Sequence, residues 1–215
     1  HDESDADRRA SLILLCMNNA GYANLSRLLS RAYLEGHQQG RPQIAAEWLQ
    51  QASDGLIALS AAGQGEIGRA LLRRDHAQAE LLAKRYADWF PERFYLELQR
   101  NGEKDQESLL QATLGLAEKL DLPVVATNNA HFLDAADFAA FDARQCISAG
   151  LTLDDPRRPR RFTAAHCLPD PEDGLRGSER SPARIRCLLS PCVLPNLERD
   201  ARPLPALLLH DARSE

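Results

Sequence analysis

Short apolar runs alternate with stretches of helical spacing along most of this chain. The first run, SLILLCMN (11–18), is closed by turn residues and fits a buried strand. GYANLSRLLSRAYLEG follows, with Leu25, Leu28, Leu29 and Tyr33 at helical spacing and Gly36 at the expected C-cap. PQIAAEWLQQA reads as a shorter helix and DGLIALS (54–60) as a strand. GQGEIGRALLRR opens a helix on glycines, and AQAELLAKRYADWF sets Ala79, Leu82, Ala83, Tyr86 and Trp89 on one face. RFYLELQ (93–99) is rich in strand formers. DQESLLQATLGLAEKL carries Leu109, Leu116 and Leu120 in helical register, 123–127 is a further strand, and a helix is expected around 134–148. Strand and helix therefore alternate, which implies βα units and a mainly parallel sheet. Periodicity does not distinguish an open sheet from a closed barrel.

The character changes beyond Phe162. The last 53 residues contain no Phe, Tyr, Trp or Lys and hold seven of the twelve prolines. Prolines interrupt every short apolar run there, and too few anchors remain to build a core. Residues 166–215 are thus expected to be a proline- and arginine-rich, poorly ordered tail. Residues 1–10 (HDESDADRRA) form a polar leader without the apolar stretch of a signal peptide. Opening on His rather than Met, the chain is expected to be a fragment.

Composition narrows the class. Hydrophobic residues make up 44% and charged residues 27%, which is ordinary for a globular domain. A formal net charge of -5 gives no strong field for nucleic acid or anionic lipid, and no apolar run reaches the roughly 20 residues of a membrane helix. Cysteines at 16, 146, 167, 187 and 192 are odd in number and irregular in spacing, which suits reduced thiols in a cytoplasmic protein. Cys187 and Cys192 lack a second pair to complete a zinc site.

The chemistry-bearing candidates each carry a plain structural alternative. His131 follows a buried strand, where α/β proteins place catalytic groups. Asp154 and Asp155 beside Arg157, Arg158, Arg160 and Arg161 offer carboxylates for a metal or guanidiniums for phosphate, and equally describe a solvated loop with local ion pairs. GQGEIG (63–68) precedes a helix as an anion cradle would, but lacks the Lys and Ser/Thr of a P-loop. Glu97 alternates with apolar neighbours and faces either a pocket or a structural partner. Trp48 and Trp89 read as core anchors rather than a base-stacking platform.

Five stretches in order, LLCMNNAGYANLSRLLSRAYLEG, GLIALSAAGQGEIGRAL, FPERFYLELQRNG, LAEKLDLPVVATNNAHFLDAADFAAFDA and GLTLDDPRRPRRF, resemble the PHP (polymerase and histidinol phosphatase) domain, in the form found in α subunits of bacterial DNA polymerase III. The resemblance covers residues 11–165. It implies an incomplete PHP-type (β/α)7-like barrel, with mainly parallel strands, surrounding helices and metal ligands at strand ends. The family's opening His-x-His motif and the polymerase palm are not found in this sequence. After RRFTAAH the chain departs from the family pattern, and a frameshifted reading of a GC-rich gene is one explanation; the nucleotide sequence settles it.

Active members of the family hold a metal cluster with histidines and carboxylates, which generates hydroxide for phosphoester cleavage. Carried over position by position, the resemblance places Asn101 where they have His, Asn129 where they have Asp, and Ala62 where they tend to have Cys or His. His131 alone persists. The expected reading is therefore a metal site that has lost its ligands, no bound cofactor, and a scaffold that docks a proofreading exonuclease among the other subunits of a replicative polymerase. DNA would be met only through the full-length parent, and no membrane is involved. The rival is a metal-dependent phosphoesterase or 3′–5′ exonuclease carrying Zn or Mn.

Overall fold

The computed structural model describes residues 10–38, 40–158, 160–168 and 185–187. Strand β1 (Ile13–Cys16) leads into helix α1 (Asn19–Leu34), which starts at Asn18, whose side-chain oxygen accepts the Gly21 N–H at 2.9 Å. The buried line of α1 is Gly21, Leu25, Leu28 and Ala32. Gly21 is required there because a Cβ would lie 1.9 Å from the Gly55 carbonyl oxygen, at the turn entering the next sheet strand. Tyr33, expected on the apolar face, is instead 64% exposed; Ala32 takes the inward position, one residue and about 100° away.

A two-stranded hairpin, β2 (His37–Gln38) and β3 (Arg41–Pro42), precedes the short helix α2 (Ala46–Gln51). Its strands are too short to leave a periodic signal in the sequence. Next come β4 (Leu56–Leu59), a 3-10 turn (Ala62–Gln64), α3 (Glu66–Leu72), α4 (His76–Trp89), β5 (Phe94–Gln99), α5 (Gln106–Leu120) and β6 (Val124–Thr127). A second 3-10 turn (Ala135–Asp137) runs into α6 (Phe138–Ser148), and β7 (Ile185–Cys187) is the last described element.

The sheet order is β1-β4-β5-β6-β7. β4, β5, β6 and β7 run parallel, joined by helical crossovers where the connection is described, as the alternation required. β1 pairs with β4 antiparallel, Ile13 opposite Leu59 and Cys16 opposite Leu56. Strand direction leaves no trace in apolar spacing, so this pairing was invisible in the sequence. Most of the 166–215 segment lies outside the described residues; those described are His166, Cys167, Leu168 and β7.

Both faces of the central strands are buried, which explains their continuous apolar runs. Leu56 and Ala58 of β4, Phe94, Leu96 and Leu98 of β5, and Val124 of β6 pack against the helices with Leu28, Ala83, Phe90 and Leu116. Phe90 and Phe94 are almost fully enclosed, each contributing about 2–3 kcal/mol of burial. Ile57, Leu59 and Val125 form a smaller cluster on the other face with Ile13, Leu15, Met17 and Tyr95. By strand alternation, Glu97 and Gln99 continue the Tyr95 face and Thr127 continues the Val125 face. This second face is apolar at its base and polar toward the strand ends.

Candidate functional site

The site lies at the C-terminal ends of β4, β5 and β6. Gln99 and Thr127 are register partners on adjacent parallel strands, so the segments beginning at Arg100 and Asn128 leave the sheet side by side. Beyond β5, Asn101 is wholly buried. Its backbone N–H donates to Gln106 Oε1 at 2.7 Å, and the same oxygen accepts the Gly102 N–H at 2.9 Å. With Oε1 thus fixed as an acceptor, Gln106 Nε2 donates to Asn101 Oδ1 at 2.5 Å. That leaves Asn101 Nδ2 to donate to Glu103 Oε1 at 3.3 Å. Thr163 completes the ring by donating its hydroxyl to the Asn101 carbonyl.

His166, also wholly buried, sits on the far side of Glu103. Its Nδ1 accepts the Thr163 backbone N–H at 3.0 Å, so Nε2 carries the proton and donates to Glu103 Oε1 at 3.0 Å. No spacing rule marked Glu103, Gln106, Thr163 or His166. Their roles depend on contacts between distant parts of the chain.

His131 follows β6 and is half-buried among aromatic rings. Its centroid lies 4.6 Å from that of Phe162, 5.4 Å from Phe141 and 6.0 Å from His166. Its backbone N–H donates to the His166 carbonyl at 2.8 Å. Asn129, two residues before His131 in the segment that follows β6, is half-buried. Asn128 donates to the carbonyls of Ala165 and Cys167 at 2.9 and 2.6 Å.

Ala62 stands apart from that group. Ala61 and Ala62 both occupy the left-handed region, at φ 57° and 42°, in the turn that ends β4. Gly65 closes the turn: a Cβ there would meet the Ser60 carbonyl oxygen at 1.8 Å. Close packing thus accounts for this glycine in GQGEIG. Ala62 lines a cleft of about 150 Å³ with Glu97, Gln99, Lys104 and Gln106, and neither Asn129 nor His131 borders it.

Glu97 is 3% exposed and serves structure. Its backbone N–H donates to Ser60 Oγ at 2.9 Å, tying β5 to β4. Its Oε1 accepts from Gln99 Nε2 at 3.0 Å and from the Thr127 hydroxyl, tying β5 to β6. Burial pushes the carboxyl pKa up, opposed by Thr127 first, then Gln99 and the Ala61 backbone N–H. Oε2 is enclosed and makes no hydrogen bond to the described residues.

Among the remaining candidates, Asp155, Arg157, Arg158 and both tryptophans have defined partners. Asp155 accepts the Arg157 backbone N–H at 2.9 Å and pairs with its guanidinium at 2.7 Å, which holds the Asp155 carboxyl below its usual range. Arg158 reaches back to Asp142 of α6 at 2.5 Å. The DDPRRPRRF loop is therefore laced by local ion pairs through these residues. Trp48 lies under the Arg31 guanidinium at 4.1 Å, and Trp89 meets Tyr86 edge-on at 5.5 Å. Both tryptophans flank the core.

The four positions carried over from the family do not suit a metal cluster. Ala62 has no donor, both amide oxygens are neutral, and the Asn101 amide is engaged by Gln106 and Glu103. Among the described residues no three His, Cys, Asp or Glu side chains converge as a metal site. No described helix is long and apolar enough to cross a membrane.

Known proteins resemble this chain over most of its length. A PHP domain profile matches residues 2–101. DNA polymerase III subunit alpha of Pseudomonas aeruginosa is 46% identical over 162 residues, covering 75% of this chain and 14% of the relative. The same subunit of Vibrio cholerae is 46% identical over 166 residues, 77% of this chain and 14% of the relative. That of Escherichia coli K12 is 42% identical over 167 residues, 78% of this chain and again 14% of the relative. The chain thus spans about 14% of the length of the relatives it matches.

Proposed function

Because this chain is homologous to the PHP domain of DNA polymerase III α subunits, we propose that it is a non-catalytic scaffold within such a subunit. In this reading the mostly parallel sheet belongs to a PHP-type barrel of seven strands. Its metal site has decayed, and its surface docks the proofreading exonuclease of the replicative holoenzyme. DNA polymerisation, contact with DNA, the other subunits and the cytoplasmic location are assigned to the whole protein.

The observation that carries the reading is Asn101. A wholly buried neutral amide, hydrogen-bonded to Gln106 and Glu103, stands where active members of the family present an imidazole to metal. Such a side chain is neutral and already engaged by its neighbours, and does not supply the charge that a cluster of cations demands.

Elemental mass spectrometry of dialysed protein tests this directly. Well under one zinc or manganese per chain is expected. Stoichiometric metal lost in His131→Ala would overturn the reading in favour of a phosphoesterase. Neither the chain nor Asn129→Asp should cleave p-nitrophenyl phosphate or single-stranded DNA with manganese, since one added carboxylate does not complete a ligand set. Docking is tested by titrating the exonuclease subunit in a calorimeter; absence of binding to both this chain and the whole α subunit removes that part.

A further inference from the structure

Residues 163–168 are stitched to the ends of two strands at once. On the β5 side, the Thr163 hydroxyl bonds the Asn101 carbonyl and His166 Nε2 lies 3.0 Å from Glu103. On the β6 side, Asn128 donates to Ala165 and Cys167, the His131 N–H donates to His166, and Leu168 donates its N–H to Phe132 at 2.9 Å. Phe132 and Cys167 form a parallel β-bridge. The segment has two distinct sides. Ala164, Ala165 and Leu168 are exposed, while His166 is wholly buried against Phe162 and His131.

We propose that residues 163–168 are a strap that closes over the ends of β5 and β6, with the buried His166 imidazole packed beneath it. Nothing in this arrangement was needed for the scaffold reading, although naming these strand ends as the family's former ligand positions rests on that reading. The strap engages the groups an incoming ligand would need. The Asn101 carbonyl, the Glu103 carboxylate and the Asn128 amide are all held by its atoms. A cation or phosphoester from outside reaches the wholly buried Asn101 only after the strap lifts as a unit. Short segments held mainly by hydrogen bonds and open to solvent on one side are drawn from the low-stability end of a fold, and open without global unfolding.

Hydrogen exchange read by mass spectrometry on the full chain tests the strap. The amides of His131, His166 and Leu168 should exchange together, through one opening shallower than that of Phe90, whose N–H bonds the Tyr86 carbonyl at the end of α4. Thr163→Val, which keeps shape but loses the hydroxyl, should speed the His131, His166 and Leu168 amides at least tenfold and leave Phe90 unchanged. Thr163→Ser should restore wild-type protection. Unchanged exchange in Thr163→Val, or failure of Thr163→Ser to restore it, would overturn the strap. Should Thr163→Val lose protection everywhere, a denaturant series on the wild type decides. Strap amides that open only with the global transition refute the proposal. Metal content reports on the decayed site and exchange on the strap, so either idea fails alone.

Discussion

Replacing Gln106 by Ala should reveal what the buried amide network is worth. In the wild type, Gln106 satisfies three groups: the Asn101 and Gly102 N–H groups and Asn101 Oδ1. Gly102 is exposed and would find water at little cost. The Asn101 groups are enclosed, and each buried polar group left without a partner costs about 1–3 kcal/mol. Water entering the space left by the side chain offsets part of this, which puts the loss at about 2–4 kcal/mol for the pair. For a domain of this size that corresponds to a drop of roughly 5–15 °C in Tm. The assay is thermal and urea unfolding followed by circular dichroism, beside Gln111→Ala as a control. Gln111 is exposed on the same helix and its loss should change stability by less than about 0.5 kcal/mol. Gln106→Glu would keep both acceptor contacts but lose the donor to Asn101, and should fall between wild type and Gln106→Ala. Equal stabilities for Gln106→Ala and Gln111→Ala would refute the view that Asn101 is held by this network.

Glu97→Gln should change the pH dependence of stability. The folded carboxyl binds its proton more tightly than the unfolded one, so its contribution is fully present below the unfolded pKa near about 4.3 and fades as pH rises through the folded value. The variant should therefore gain on wild type as pH rises above the unfolded value in parallel melts; a wild type that gains instead would reverse the assigned shift. Gly65→Ala forces a methyl into the Ser60 carbonyl and should cost about 2 kcal/mol or more, read by urea midpoint, whereas Gly115→Ala, in open space on α5, should be neutral or stabilising by up to about 1 kcal/mol. Phe90→Ala, emptying a fully enclosed position, should cost about 3–5 kcal/mol in the same assay.

The legible parts of the fold were the local ones. RFYLELQ contains β5 and DQESLLQATLGLAEKL contains α5 because their apolar spacing is set within a few residues. Tyr33 misled because an apolar stripe has finite width, and Gly21 and Ala32, the small residues that let α1 approach its neighbours, look neutral in a periodicity reading. The antiparallel β1 was hidden because alternation is the same in both directions. At the site, Asn101 was visible as an amide in place of an imidazole. That it anchors a network was not, since Thr163 lies 62 residues away and Glu103 reads as one more surface acid. His166 was assigned to the tail because the composition changes around it, yet it is the most completely enclosed histidine described. Composition describes a stretch on average, whereas burial is decided one side chain at a time.

The register of the parallel sheet also sets a timetable for assembly. Ala58 meets Phe94 and Leu96 meets Val124, so each pairing waits for an intervening helical segment to fold back. Contacts of such long sequence separation slow folding relative to a bundle of the same length. Thr163 and Asn101 are farther apart still, and their bond requires β5 and β6 to lie side by side already. The 163–168 contacts therefore follow the pairing of β5 with β6. A ribosome would have to release the chain well past Leu168 before they could close, so the strand ends pass through an interval of exposure during synthesis that the finished fold conceals.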